Sequence, residues 1–516
     1  MDNSQHETQH KLVGRTLTDY LLYFPALTIS GLMGLVTVAV LSKFFSPANY
    51  GQYTLAISTL LLLSMVTGLW LRSSVLRLLP QYTASNQAHE FIGTLLGAGT
   101  FVVLAVMMVY GLVIFLFRPR LDAQLYQLLW IVVFGVPILT IFTVLQESHR
   151  IQGRSALYSG LILLRVGGAF LVGLFLAIIL GWGPVGMLLG LIIVIIGAIG
   201  GHVFWVSRSM IGEPRKLRWS GKILRDMMAF SLPIVGLNLA SAVLAVSDRY
   251  LIEAYLSSYD LGIYSATYAL AEGGMRLIAN TFLVATQPII FNTWVTEGPQ
   301  VTFQFIERLF RYYVILALPV LVGLSLLGDK IVTLFTTPEY AAGSGIMIFV
   351  SIALFLHGYS LIVGTVFDAT KRTMIPLVLF IIAGLSNVLL NILLLPQFGY
   401  MAAAWSTCAG YALLLGLHVI AARRIVRLHV VGRYLWKVGL ASAGMGGFLL
   451  VAQLWISPSI LGLLSTIILA ALVYGFLVLA LGGISPIEKQ VLIVRFKRIF
   501  SRLPKPVFMS KWSTEI

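Results

Sequence analysis

Cysteine occurs once in the 516 residues, at Cys408, so no intramolecular disulfide can form. Charge is nearly as scarce: 10% of the residues are Asp, Glu, Lys or Arg, with 19 acids against 35 bases. By contrast, 59% of the chain is hydrophobic and the mean hydropathy is +0.94. So little polar surface cannot coat a water-soluble core of this size, and a soluble globular protein is excluded. Also missing are a P-loop, zinc-type His/Cys spacing, a serine nucleophile elbow and an Asp-rich metal loop. No enzyme activity, cofactor or metal site is therefore expected, and any energy requirement falls to ion gradients, membrane potential or consumption of product. The polar start 1–16 has no short apolar core with a small-residue cleavage site, so the first span is expected to persist as a helix.

What the chain has instead is about fourteen apolar runs, most of them near the roughly 20 residues needed to cross a hydrocarbon core of about 30 Å. The expected spans are 20–41, 51–71, 92–116, 126–145, 157–180, 184–206, 228–251, 262–284, 312–328, 344–366, 375–395, 400–420, 435–456 and 461–482. The fold class is thus an all-α polytopic membrane protein. Basic residues fall almost entirely in every second gap: 28 of the 35 lie on one side, and only Lys43, Arg118, Arg120 and Lys330 lie opposite. That asymmetry predicts both termini in the cytoplasm. It also explains a formal net charge of +16 without invoking nucleic acid.

The basic loop after the sixth span divides the chain. The expected units are a six-helix lobe at 1–206, a cytoplasmic loop at 207–227, a second six-helix lobe at 228–420, two further helices within 421–482 and a tail at 483–516. Two echoes support parallel repeats. Phe45-Ser46-Pro47-Ala48-Asn49-Tyr50-Gly51-Gln52-Tyr53 is matched by Leu256-Ser257-Ser258-Tyr259-Asp260-Leu261-Gly262-Ile263-Tyr264, and Gly183-Pro184 by Gly399-Tyr400. Six is even, so both lobes keep one orientation about an axis along the membrane normal. In the tail, Ile487 to Trp512 interleaves apolar residues with Lys489, Arg495, Lys497, Arg498 and Arg502, a pattern expected to rest on anionic lipids of the inner leaflet.

Three segments carry a family resemblance: Phe230-Ser231-Leu232-Pro233 opening the seventh span, Asp248-Arg249-Tyr250-Leu251-Ile252 at its far end, and Leu261-Gly262-Ile263-Tyr264-Ser265 at the start of the eighth. With the turn at 45–53 and the run from Phe398-Gly399 to Ala404, the chain resembles the polysaccharide-flippase branch of the multidrug/oligosaccharidyl-lipid/polysaccharide exporter superfamily. The resemblance implies two lobes around a central cavity, alternating access, a bacterial inner-membrane location and a lipid-linked oligosaccharide as substrate. Glycan polymerases or glycosyltransferases would be its further partners. A lipid II flippase and a cation-coupled multidrug exporter are the nearer alternatives, and a membrane glycan polymerase or ligase the more distant one. Such an enzyme would be expected to carry a large outer loop, whereas the longest outer connection read here, Asp329 to Gly343, is short.

Charged side chains inside spans are costly unless they face a cavity or a partner, which makes them candidates for function. Arg165 lies about 12 Å into the fifth span, without an acidic neighbour in sequence. Its planar fork of donors suits the oxygens of a lipid pyrophosphate. Arg276, about 21 Å along the eighth span, has Glu272 one turn before it, which allows either a helix-face ion pair or ligand contact. Asn387 and Asn391, on one face of the eleventh span, join these as substrate-binding candidates, with Asn238, Asn280 and Gln287 as weaker ones. Asp248 and Arg249 are expected at a gate or lobe interface, and His357 is the candidate for proton coupling.

Overall fold

The computed structural model describes residues 25–26, 28–209, 218–426, 432–455 and 459–483. The amphipathic tail expected at 487–512 lies outside them. Every described segment of any length is helical, as a chain surrounded by lipid requires, because hydrocarbon offers no partner for an unpaired backbone N–H or C=O.

The helices are α1 (Thr28–Phe44), α2 (Pro47–Ala84), α3 (Ala88–Phe117), α4 (Ala123–Ile151), α5 (Ser155–Ile179), α6 (Gly183–Ser209) and α7 (Gly221–Tyr255). They continue with α8 (Ser258–Thr296), α9 (Pro299–Phe335), α10 (Met347–Ala369), α11 (Met374–Phe398), α12 (Tyr400–Arg423), α13 (Gly432–Ala452) and α14 (Ile460–Ala480). Among the described residues, 12 helices are long and apolar enough to cross a membrane. Two of the roughly fourteen expected spans do not pass that test. The described part of α1 is short, and α8, though 39 residues long, carries Asp260, Glu272 and Arg276. Much of α8 is wrapped in protein, with Leu261, Tyr264, Tyr268, Ala271 and Met275 buried, so it does not depend on an apolar surface.

Several expected edges move outward. The second helix runs to Ala84 rather than 71, and the eighth spans Ser258–Thr296 rather than 262–284. The outer connection at 329–343 is hardly a loop, since α9 continues to Phe335 and a 3-10 turn occupies Pro338–Ile346. Residues 218–220 of the basic loop lie against α3, where the Ser220 N–H donates to Thr94 Oγ1 at 2.9 Å.

Local chemistry sets these boundaries. Ser46 caps α2 by accepting from the Asn49 N–H, with Pro47 at the first helical position; Ser257 caps α8 by accepting from the Asp260 N–H at 3.1 Å. The first sequence echo is thus one capping device used twice. Both glycines of the second echo, Gly183 (φ 53°) and Gly399 (φ 63°), turn the chain through the left-handed region just where α6 and α12 begin.

Packing follows the same offset of six. α2 packs on α4 and α8 on α10; α4 packs on α6 and α10 on α12; α5 packs on α6 and α11 on α12. The α5–α6 contact is a glycine seam, since a methyl at Gly190 would overlap the backbone of Gly173, and one at Gly186 the backbone of Ala177. Across the two sets, α2 is the common member, packed against both α7 and α8. α13 lies on α9 and carries α14, whose Tyr474 hydroxyl donates to the Ile315 carbonyl at 2.7 Å.

The crossing of α2 and α8 is the tightest point. A methyl group on Gly51 would overlap the Ser258 carbonyl, and one on Gly262 would overlap the Pro47 carbonyl. Beside it the Tyr340 hydroxyl donates to the Phe45 carbonyl at 2.9 Å, and Tyr50 meets the Tyr340 ring edge-on with centroids 6.1 Å apart. Gly262→Leu is therefore expected to force α2 and α8 apart at a cost of at least about 1–3 kcal/mol, read as a lower unfolding temperature of the purified protein.

Candidate functional site

Charged side chains gather in three places along these helices. The first is in the N-terminal set, between α2, α4 and α5. Ten residues into α5, about 15 Å along it, the helix loosens into a π turn at Leu164–Gly168, and Arg165 lies in that turn. Such turns recur at functional sites because they re-aim a side chain and free a backbone group. The Arg165 Nε atom is buried without a hydrogen-bond partner, and among the described residues no carboxylate pairs with its guanidinium. The charged group acting on it is another cation, Arg72 of α2, together with the phenol of Tyr158.

Arg72 in turn has Nε 4.0 Å from Glu147 Oε2, while Arg150 Nη1 donates to Glu147 Oε1 at 3.1 Å. One buried carboxylate thus serves two arginines, each with its side chain about half exposed. Arg72 and Arg150 share Glu147 while Arg165 has no carboxylate of its own, and the His149 ring sits 4.9 Å from that of His202. An excess of guanidinium at this depth is chemically incomplete; an anion with several oxygens would complete it.

Sequence reasoning found Arg165 but missed Arg72 and Arg150 as its companions. Ending the second span at 71 placed Arg72 in a loop, whereas α2 carries it inside a helix. The three-residue spacing of Glu147 and Arg150 was the available signal.

The second cluster lies in the C-terminal set. Glu272 and Arg276 form an i,i+4 ion pair on α8, with the Arg276 side chain 59% exposed. Arg276 faces His357 of α10 electrostatically; the His357 ring stacks on Tyr411 at 4.5 Å between centroids, leaving its Nε2 buried without a partner. Asn387 and Asn391 are fully buried and bond each other, while Ser247 of α7 donates to Asn387 Oδ1 at 3.2 Å. One amide atom of each, Asn387 Nδ2 and Asn391 Oδ1, remains without a partner. Asn238 is committed to its own helix by a 2.8 Å bond to the Ile234 carbonyl, and Gln287 is exposed. The side chain of Asn280 lies outside the described residues.

The third cluster is the seam between α2, α7 and α8. Asp248 is buried, accepts a hydrogen bond from the Tyr264 hydroxyl and takes the Arg249 N–H at 2.8 Å. Arg249 reaches across to α2, donating from Nη1 to Ser58 Oγ at 3.1 Å, and lies 5.4 Å from the centre of the Tyr268 ring. Next to it the Thr59 and Tyr250 hydroxyls bond at 2.9 Å. Toward the other end of the same seam, Ser74 and Ser231 share a 2.8 Å bond and Tyr82 donates to Asp226 at 2.6 Å. The structure thus brings Arg249 together with Ser58 of α2, Asp248 with Tyr264, Glu272 with Arg276, and His357 with Tyr411. It leaves Arg165 in a separate pocket. Among the described residues no group of three or more His, Cys, Asp or Glu could hold a metal ion.

The family described as polysaccharide biosynthesis protein matches residues 17–294, more than half of the chain. No curated protein matches the sequence. Among solved structures, one described as the lipid II flippase MurJ in an inward closed conformation is similar at a TM-score of 0.71 and 18% identity, covering 92% of this chain and 100% of that one. An inward-facing multidrug resistance MATE family transporter of the MOP superfamily is similar at a TM-score of 0.61 and 13% identity, covering 77% of this chain and 94% of that one. At such identities the likeness concerns the fold.

Tyr264→Phe removes the hydroxyl that Asp248 holds in a buried place. It is expected to destabilise the protein by about 1–3 kcal/mol, checked by thermal unfolding in detergent beside Tyr250→Phe, whose bond to Thr59 is less buried and should cost less.

Proposed function

This chain belongs to the polysaccharide biosynthesis protein family, and from that membership we propose that it flips a polyprenyl-pyrophosphate-linked oligosaccharide from the cytoplasmic to the outer leaflet for cell-surface polysaccharide synthesis. It is a multi-pass membrane carrier and not an enzyme. In this reading both termini lie in the cytoplasm of a bacterial inner membrane and the chain crosses it fourteen times. α1–α6 and α7–α12 form two parallel-repeat lobes around a central cavity, with α13 and α14 appended. The lobes rock about the α2–α8 crossing to expose the cavity to each side in turn.

The observation that carries the proposal is the guanidinium of Arg165, set at membrane depth beside Arg72 with no carboxylate of its own. A pyrophosphate supplies the missing acceptors, and sugar hydroxyls can meet the Glu272–Arg276 pair, with the buried Asn387 and Asn391 joining only when α11 parts from α7 and α12. Asp248 and Arg249 then act as the gate, and His357 as a group able to exchange a proton as the lobes move. The membrane potential can contribute as well. Moving a headgroup of about two negative charges outward through 100 mV releases about 4.6 kcal/mol on an inside-negative membrane.

A second reading is lipid II as cargo, and the structural likeness to a protein described as a lipid II flippase favours it. Both cargoes present a polyprenyl chain and a pyrophosphate, so the same arginines serve either, and the difference lies in the sugar. Reconstitution into vesicles with fluorescent versions of both lipids separates them. Arg165→Ala should abolish flipping of whichever cargo is moved, at unchanged protein level, and Arg165→Lys should restore part of it because the charge returns without the fork. Full activity of the alanine variant would remove Arg165 from the mechanism.

A further inference from the structure

Away from the arginines, a cavity of about 640 Å³ opens between α7 and α11. Its walls are apolar: Leu232, Leu239 and Val243 on α7 face Met374, Leu377 and Leu385 on α11. Small residues make the space. A Cβ added at Gly236 would come no closer than 3.5 Å to Leu377, and one added at Gly384 no closer than 3.8 Å to the Ala240 carbonyl. Neither glycine is required by close packing. From Leu232 to Val243 the helix rises about 16 Å, roughly half of a 30 Å hydrocarbon core. The groove therefore runs from the basic end of the bundle to about mid-membrane, the depth of one leaflet.

Its mouth has its own chemistry. Lys371 and Arg372 lie in the turn just before α11; both are exposed, and among the described residues neither is in an ion pair. Lys371 adopts φ 58°, in the left-handed region where a helix usually ends on glycine. Its N–H bonds to the Asp368 carbonyl at 3.1 Å and that of Arg372 to the Phe367 carbonyl at 2.9 Å, and the Thr370 hydroxyl donates to the Val366 carbonyl at 2.8 Å, so the turn is fixed without the Lys371 side chain. Glycine would make this turn with less strain, and the lysine side chain adds only its stem and charge.

We propose that the α7–α11 groove holds an acyl chain of an anionic phospholipid of the cytoplasmic leaflet, with the lipid phosphate bound by Lys371 and Arg372. The apolar walls exclude a headgroup from the groove, the paired cations at its mouth select an anionic one, and the depth fits a leaflet lipid. A long isoprenoid chain would overrun it. The site is independent of the cargo and of Arg165.

Native mass spectrometry of the full-length protein, titrated in detergent with phosphatidylglycerol or phosphatidylcholine, tests this directly. One phosphatidylglycerol should be retained about tenfold or more tightly than phosphatidylcholine. Gly236→Leu, which fills the groove, and the pair Lys371→Gly with Arg372→Gln, which strips the mouth, should each erase that preference. Lys371→Gly alone should also raise the unfolding temperature in lipid-free detergent, so weakened binding is distinguished from damage to the fold. Equal retention of the two lipids, preference unchanged in both variants, or displacement of phosphatidylglycerol by polyprenyl phosphate would each overturn the proposal. Failure here leaves the flippase reading intact, because no flipping is measured.

Discussion

Where α2 crosses α8, two backbones touch with nothing between them but the hydrogen atoms of Gly51 and Gly262. Lipid tails are as apolar as leucine, so helices in a bilayer gain little from hiding hydrophobic surface against each other. They associate through close contact and through hydrogen bonds that lipid cannot replace. Both are concentrated on α2. Its N-terminal end meets α8 at the glycines, its middle receives Arg249 and Tyr250 on Ser58 and Thr59, and its C-terminal half receives Ser231 on Ser74. The two helix sets meet chiefly along this helix, with further contacts from α1, whose Ser42 hydroxyl donates to the Phe335 carbonyl at 3.2 Å, and from α3 on α7, so any motion between them must work against these contacts.

The chemistry of the two sets differs in a way their shared packing pattern does not. In the C-terminal set the charged groups singled out inside the helices have partners, Glu272 in Arg276 and Asp248 in Tyr264 and the Arg249 N–H. In the N-terminal set Glu147 is shared by Arg72 and Arg150, and Arg165 is left over. A largely enclosed charge without compensation is expensive. Its presence in a π turn, beside a second arginine, is the strongest physical reason to expect a polyanionic headgroup there.

Much of the fold was legible from sequence because apolar length and the alternation of basic loops are direct consequences of the bilayer. The echo at 45–53 and 256–264 was readable as a repeated turn. What it could not convey is that Gly51 packs against the backbone at Ser258 and Gly262 against that at Pro47, since contacts between segments two hundred residues apart leave no local trace. Boundaries were misjudged where helices run on beyond their most apolar stretch, as α2 does to Ala84, and that error hid Arg72 from the reading of the site. α8 shows the converse: its apolar stretch was expected at 262–284, yet a helix largely enclosed by protein need not look like a membrane span, and the full helix carries Asp260, Glu272 and Arg276.

The central claim is that the arginine-rich pocket between α2, α4 and α5 receives the pyrophosphate of a lipid-linked glycan. A cryo-electron microscopy structure of the protein with such a lipid bound tests it most directly. The account predicts headgroup density within about 3 Å of the guanidinium groups of Arg165 and Arg72. Density confined to the Glu272–Arg276 pair, with the Arg165 pocket empty, would contradict it.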